Sequence, residues 1–226
     1  MTVVVVTGTD TAVGKTVATA ALAAVQLSLG RRVAVVKPAQ TGIGPDDGGD
    51  LTEVRRLAGD VSTFEGVRLP EALAPDAAAR LAGLELPSLD AQRNLVDRVA
   101  TEHDVTLVEG AGGVLVNLGE HWNLIDLAEC VRHAGHPVVF VVVARAGLGT
   151  LNHTALTVQA IQGRGLAVEG VVVGAWPHQP ALAEEQNLID LPLMTGVPVL
   201  GKLPEGAARL PVRAFRQGCP DWVPAL

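Results

Sequence analysis

A single turn constrains this chain more than any other stretch. Gly8-Thr9-Asp10-Thr11-Ala12-Val13-Gly14-Lys15-Thr16 joins a Val-rich run, Val3 to Thr7, to an Ala-rich stretch, Lys15 to Leu29, that stops at Gly30. Gly-Lys-Thr at the junction of a buried strand and a helix is the pattern of a phosphate-binding loop. Backbone N–H groups and the helix N-terminus cradle phosphates, the Lys reaches the β and γ phosphates, and the Thr hydroxyl ligates Mg²⁺. The usual GxxxxGK[ST] spacing puts a glycine where this chain has Thr9, with Gly8 one residue earlier. A Gly-rich turn can be only a turn, but the strand and helix around it favour nucleotide binding.

Further apolar runs follow at Val33 to Lys37, Val105 to Glu109, Val138 to Ala144, Val171 to Gly174 and Val197 to Gly201. Runs this apolar suit strands buried on both faces. Between them the spacing predicts helices over Ser88 to Glu102 with Ser88 as N-cap, Asn123 to His133 ending before Gly135, and Gly149 to Gln162 ending at Gly163. Residues 38 to 50, with Gly42, Gly44, Pro45, Gly48 and Gly49, read as a loop; 63 to 87 reads as a mixed excursion with a short helix from Pro75 to Ala82. The alternation predicts an α/β fold, a doubly wound, mostly parallel sheet with helices on both faces, like that of the P-loop NTPases. With 226 residues and no linker or repeat, one domain over 1–226 is expected.

Composition narrows the partners. Hydrophobic residues make up 48% and mean hydropathy is +0.33, yet no segment reaches the roughly 18 uncharged apolar residues of a membrane span. Seventeen basic against 24 acidic residues give a net charge of -7 without runs of like charge, which argues against nucleic-acid or anionic-membrane surfaces and for small-molecule partners. Cys130 and Cys219 stand far apart, and Met1 leads straight into an apolar run. A cytoplasmic protein without disulfides is expected.

Open parallel sheets bind ligands at the carboxyl ends of their strands. Only Lys15, Lys37 and Lys202 among the basic residues are lysines. Each is therefore a candidate for a tight anion pocket that accepts a compact ammonium and not a guanidinium. Lys37 ends the second apolar run, near the phosphate loop, and suggests an anion-handling role beside the alternative of a snorkelling strand end. Glu109 ends Val105-Thr106-Leu107-Val108-Glu109 as the acid of a Walker B strand, which holds a metal ion opposite the P-loop hydroxyl, and Gly110, Ala111, Gly112 and Gly113 follow it. Asp50 opens Asp50-Leu51-Thr52-Glu53 and is either a helix N-cap or a metal ligand. The six histidines offer no ligand pair, and His133 and His136 read as solvated around a helix end. Trp122, Trp176 and Trp222 read as core or interface residues.

Four motifs in order resemble the dethiobiotin synthetase family: Gly8-Thr9-Asp10-Thr11-x-Val13-Gly14-Lys15-Thr16, Lys37-Pro38-x-Gln40-Thr41-Gly42, Val108-Glu109-Gly110-Ala111-Gly112-Gly113 and Gly147-Leu148-Gly149-Thr150-Leu151-Asn152-His153. The resemblance spans nearly the whole chain. It implies ATP- and Mg²⁺-dependent closure of the ureido ring of dethiobiotin from 7,8-diaminononanoate and CO₂, through a carbamate and a carbamic-phosphoric mixed anhydride. By this resemblance Ala12, Val13, Gly14, Lys15, Thr16 and Val17 surround the triphosphate, with Glu109, Gly110, Ala111 and Gly112 opposite. Gly174, Ala175, Pro204, Glu205 and Gly206 lie near the base. Thr16, Asp50 and Glu109 hold Mg²⁺, and Lys15 and Lys37 are catalytic. Thr11 and Thr41 contact the diamine or its carbamate, and Gly149, Thr150, Leu151 and Asn152 take the substrate's carboxylate tail from the other subunit of a homodimer.

Two positions depart from the family. Val173-Gly174-Ala175-Trp176-Pro177 lacks the Asn-Asp pair that reads adenine in many members, and Ala12 replaces a frequent Glu. Other P-loop readings fare worse on the residues. A partitioning-type ATPase carries a signature Lys where this chain has Asp10; a GTPase-like switch needs an NKxD that is absent from the sequence. A small-metabolite kinase remains the alternative enzyme.

Overall fold

In the computed structural model, which describes residues 1–44 and 46–226, the chain forms one seven-stranded sheet in the order β3-β2-β4-β1-β5-β6-β7. The strands are β1 (Thr2–Gly8), β2 (Val33–Thr41), β3 (Ser62–Leu69), β4 (Val105–Gly113), β5 (Val138–Ala144), β6 (Ala167–Trp176) and β7 (Val199–Pro204). All neighbouring pairs are parallel. The helices are α1 (Lys15–Ser28), α2 (Asp50–Ala58), α3 (Pro75–Ala82), α4 (Leu89–Glu102), α5 (Leu124–His133), α6 (Thr150–Gln162), α7 (Leu182–Thr195) and α8 (Val212–Trp222).

The Val runs are strands buried on both sides, and their period of two feeds two cores. Val3 and Val5 of β1, with Phe140 and Val142 of β5, face Val96 of α4, Leu124 of α5 and Ile161 of α6. Val4, Val6, Val141 and Val143 face Leu22 of α1, Leu57 of α2 and Phe215 of α8. Every one of these side chains is under 3% exposed.

The register opens the site. β2 and β4 pair from Val33↔Val105 to Val36↔Val108 and then part, so that Lys37 and Glu109 are the first residues beyond the last pair. Past this point β2 bonds only to β3, which leaves a place for Pro38, a residue with no N–H to give a second ladder. β2 thus continues through Thr41, where the sequence suggested a loop from residue 38; Pro45, in that expected loop, lies outside the described residues.

Three further elements differ from the sequence reading. Residues 62–69 are an edge strand, β3, whose mixed Ser-Thr-Phe-Glu-Gly-Val-Arg-Leu composition hides it among polar residues. α7 and α8 carry Pro192 and Pro220, helix-breaking signals that are tolerated because each lies in the last turn. His133 is exposed, but His136 is buried and 2.5 Å from Asp97, not solvated. Trp122 is core, at 3% exposure. Both cysteines are free, and among the described residues no helix is long and apolar enough to cross a membrane.

Candidate active site

The phosphate loop ends at Gly14, whose φ of 98° suits glycine, and Gly14 caps α1 with no side-chain partner for the first-turn N–H groups. A positive helix end with open donors therefore faces the carboxyl edge of the sheet. The loop is pressed against β6: a Cβ on Gly174 would stand 1.9 Å from the Val13 carbonyl oxygen, so the close approach requires glycine there. Lys15 is 8% exposed, and its ammonium donates to the Asp10 carbonyl at 2.8 Å. Burial, then the neighbouring Lys37 charge, lowers the Lys15 pKa to about 8. The Asp10 carboxylate in turn accepts from Arg145, beyond β5, at 2.5 Å.

At the parting of β2 and β4 lies a buried charge cluster. Lys37, 2% exposed, donates to Glu109 Oε1 at 2.8 Å, to the Gly110 carbonyl at 3.0 Å, and to Asp50 Oδ2 at 2.5 Å. Burial alone would lower the Lys37 pKa, but the Glu109 and Asp50 carboxylates outweigh it and hold the pKa above the ordinary lysine value. Burial would likewise raise the Asp50 pKa, and the Lys37 charge overrides it downward. Thr16 Oγ1 donates to Glu109 Oε1 at 3.0 Å, joining the phosphate loop to the cluster.

Asp50 is the first residue of α2 and not its cap. Gly49 occupies the cap position with no side-chain hydrogen bond, so of the two sequence readings the cap has no geometric support. Thr16, Asp50 and Glu109 fit a Mg²⁺ ion: all offer hard oxygens, and Glu109 Oε2 is buried with no hydrogen-bond partner. Among the described residues no group of three His, Cys, Asp or Glu stands close enough to hold a metal by itself.

Thr11, Ala12, Gly14, Lys15, Thr16, Val17, Lys37, Thr41, Asp50, Ala111 and Gly112 line one cleft of about 410 Å³, together with Gln40. Ala12 adopts a left-handed φ of 55°. Thr11, Thr41, Ala111 and Gly112 also line a second cleft of about 400 Å³, walled by Ala72, Leu73 and Ala74 ahead of α3 and by Pro75, its first residue. Neither that wall nor Arg145 carries a sequence motif. Ala175 is exposed, and the Glu205 N–H bonds the Trp176 carbonyl at 2.7 Å, which brings 174–176 beside Pro204, Glu205 and Gly206. Gly149, Thr150, Leu151 and Asn152 begin α6 outside the first cleft. Gly149 has φ 88° and no side chain caps that helix, while the Thr150 side chain is fully buried, so this segment offers backbone N–H groups.

A family model described as an AAA domain matches residues 2–208. The chain is 51% identical over 223 residues to a protein of Rhodococcus jostii named ATP-dependent dethiobiotin synthetase BioD, covering 98% of this chain and 94% of the relative. A protein of the same name from Mycobacterium avium is 47% identical, covering 100% and 99%. The chain belongs to the dethiobiotin synthetase family. Solved structures share its fold alone. The septum site-determining protein MinD of Pyrococcus horikoshii superposes with TM-score 0.57 at 17% identity over 96% of this chain and 89% of that one. Cyanthece apo McdA superposes with TM-score 0.56 at 12% identity over 96% of this chain and 90% of that one. These two likenesses, at 12% and 17% identity, are likenesses of fold.

Proposed function

We propose that this chain is an ATP-dependent dethiobiotin synthetase, a ligase that converts 7,8-diaminononanoate, CO₂ and ATP to dethiobiotin, ADP and phosphate. One observation carries the reading to named atoms: a buried ammonium, Lys37, stands between two carboxylates at the mouth of a phosphate-binding loop, in a chain about half identical to proteins of that name.

In the reaction, one amine nitrogen of the diamine attacks CO₂ and gives a carbamate with loss of a proton. A carbamate oxygen then attacks the γ-phosphorus, the P–O bond to ADP breaks, and a carbamic-phosphoric anhydride forms. The second amine attacks the carbamoyl carbon, phosphate leaves, and the ureido ring closes. Two anions must meet in the second step, and a fixed cation between them removes their repulsion. Lys37 is that cation. Its three N–H donors are all engaged, so it meets the carbamate by giving up one partner. Asp50, whose side chain is 32% exposed, is the partner that can turn away. Lys15 and the open N–H groups of α1 hold the triphosphate. Mg²⁺, when bound by Thr16, Asp50 and Glu109, supplies charge neutralisation of the transferring phosphoryl group.

Thr11 and Thr41, shared by both clefts, sit where the amine end or its carbamate would lie. The carboxylate tail is assigned to the α6 N-terminus of a second subunit of a homodimer, which Leu148, exposed just ahead of that end, and Leu156, exposed midway along the helix, support. The two free thiols accord with work in the cytoplasm. The deciding experiment measures ADP release with each substrate omitted in turn. The reading requires release to depend on both the diamine and bicarbonate; a phosphorylated diamine formed without bicarbonate would make the chain a kinase instead.

A further inference from the structure

Gln40 lines the phosphate-side cleft, yet it is only 6% exposed and the chemistry above gives it no task. A buried carboxamide is costly unless both its ends are bonded. Here both are. Its Oε1 accepts from the Asp50 N–H at 2.9 Å, and its Nε2 donates to the Thr41 carbonyl at 3.2 Å. One neighbour is a donor and the other an acceptor, so a carboxamide matches the pair where a carboxylate or an alkyl group would not.

The Asp50 N–H is one of the first-turn donors that no helix can satisfy internally. Gly49, at the cap position, brings no side chain to it. Gly49 is also what lets Gln40 in: its φ is an ordinary -104°, but a Cβ there would stand 2.9 Å from Gln40 Oε1 and 2.8 Å from Ile43 Cδ1. Lys37 and Gln40 both belong to β2, on the stretch that β4 has left. One strand therefore carries Lys37 and, three residues on, the group that anchors the first residue of α2, whose carboxylate lies 2.5 Å from Lys37.

We propose that Gln40 is a positioning residue that sets where Asp50 stands against Lys37 by capping α2 from the neighbouring strand. The proposal rests on the role given above to Asp50, and its test separates the two. In Gln40→Leu, hydrogen exchange at the Asp50 amide should quicken about tenfold or more, the loss of one hydrogen bond. With only three lysines, protein labelled with ¹³C at lysine Cε gives a legible spectrum. The Lys37 signal should move and that of Lys202, exposed on β7, should not. Turnover should fall by between about tenfold and a hundredfold, the scale of a small misplacement, with KM for ATP unchanged. In an Asp50→Ala background, Gln40→Leu should cause no further loss of turnover, because there is then no carboxylate to place.

Gln40→Met keeps the length of the side chain but removes both polar ends, and it provides the same exchange test if the Leu variant does not fold. Wild-type exchange at Asp50 together with an unmoved Lys37 signal in Gln40→Leu, or in Gln40→Met if the Leu variant does not fold, would overturn the proposal, as would additive losses with Asp50→Ala. Failure of the wild-type protein to require bicarbonate would overturn the enzymatic reading and leave the Gln40–Asp50 contact untouched.

Discussion

The ammonium of Lys37 donates to the buried carboxylate of Glu109 at 2.8 Å across 72 residues of chain. The pair sits at the first position where β2 and β4 cease to be bonded. Both groups are almost wholly out of water, so removing either leaves the other charge uncompensated.

Lys37→Ala should accordingly have two effects. Ring closure should fall by about a hundredfold or more, as for loss of other preorganised charge stabilisers, while nucleotide binding through the phosphate loop stays near normal. Stability should also drop by about 3 kcal/mol, because Glu109 is left buried and unpaired. Melting curves with and without Mg²⁺ check the second effect: added Mg²⁺ should recover part of the loss. Lys37→Arg should fail in turnover too, since a planar guanidinium does not reproduce three converging bonds to a compact ammonium. Wild-type turnover in either variant would remove Lys37 from the chemistry.

Asp50→Asn tests the carboxylate apart from the helix. Asp50 begins α2 without capping it by its side chain, and Glu109 still neutralises Lys37. Melting should stay within a few degrees of wild type while the Mg²⁺ concentration for half-maximal rate rises, because an amide is the poorer ligand. A titration with wild-type Mg²⁺ dependence would show that the carboxylate is no ligand.

Nucleotide choice should be loose. In the proposed reading the phosphate loop, Lys15 and the two carboxylates grip only phosphate and metal, and the segment assigned to the base offers the backbone of Gly174 and the methyl of Ala175. ATP, CTP and GTP should each support turnover at saturation. A strict ATP requirement would reveal a base reader elsewhere in the chain.

If the tail of the substrate docks on the α6 N-terminus of a second subunit, each site is built from two chains. Lys15→Ala protein and Gly149→Glu protein should each be inactive, the latter because its carboxylate repels that of the substrate. Mixed under subunit exchange, they should regain about a quarter to a half of wild-type activity, since one site of each mixed dimer is then intact. No recovery on mixing would place the tail within one chain.

Local chemistry made part of this protein legible from the amino-acid order alone. The strand, loop and helix around Gly14-Lys15-Thr16 follow from neighbouring residues, and so does the parallel sheet, because Val on every position of a short run suits only a strand covered on both faces. Lys15 and Thr16 could be singled out from spacing for the same reason, and the structure sets both in one cleft. The edge strand β3 and the helices α7 and α8 were not legible, since polar alternation and an internal proline mask them until neighbours supply the packing. The function of Asp50 was undecidable locally: an acid at a helix start reads equally as cap or ligand. It became a partner of Lys37 only when β2 parted from β4 and α2 was set against the gap. Gln40 stood out only as a member of the Lys37-Pro38-x-Gln40-Thr41-Gly42 motif, with no task legible, because its meaning is a hydrogen bond to the first residue of a helix ten positions on. Sequence order specifies the elements, whose forces act within a few residues; the burial that turns scattered charges into one cluster exists only once the sheet has assembled.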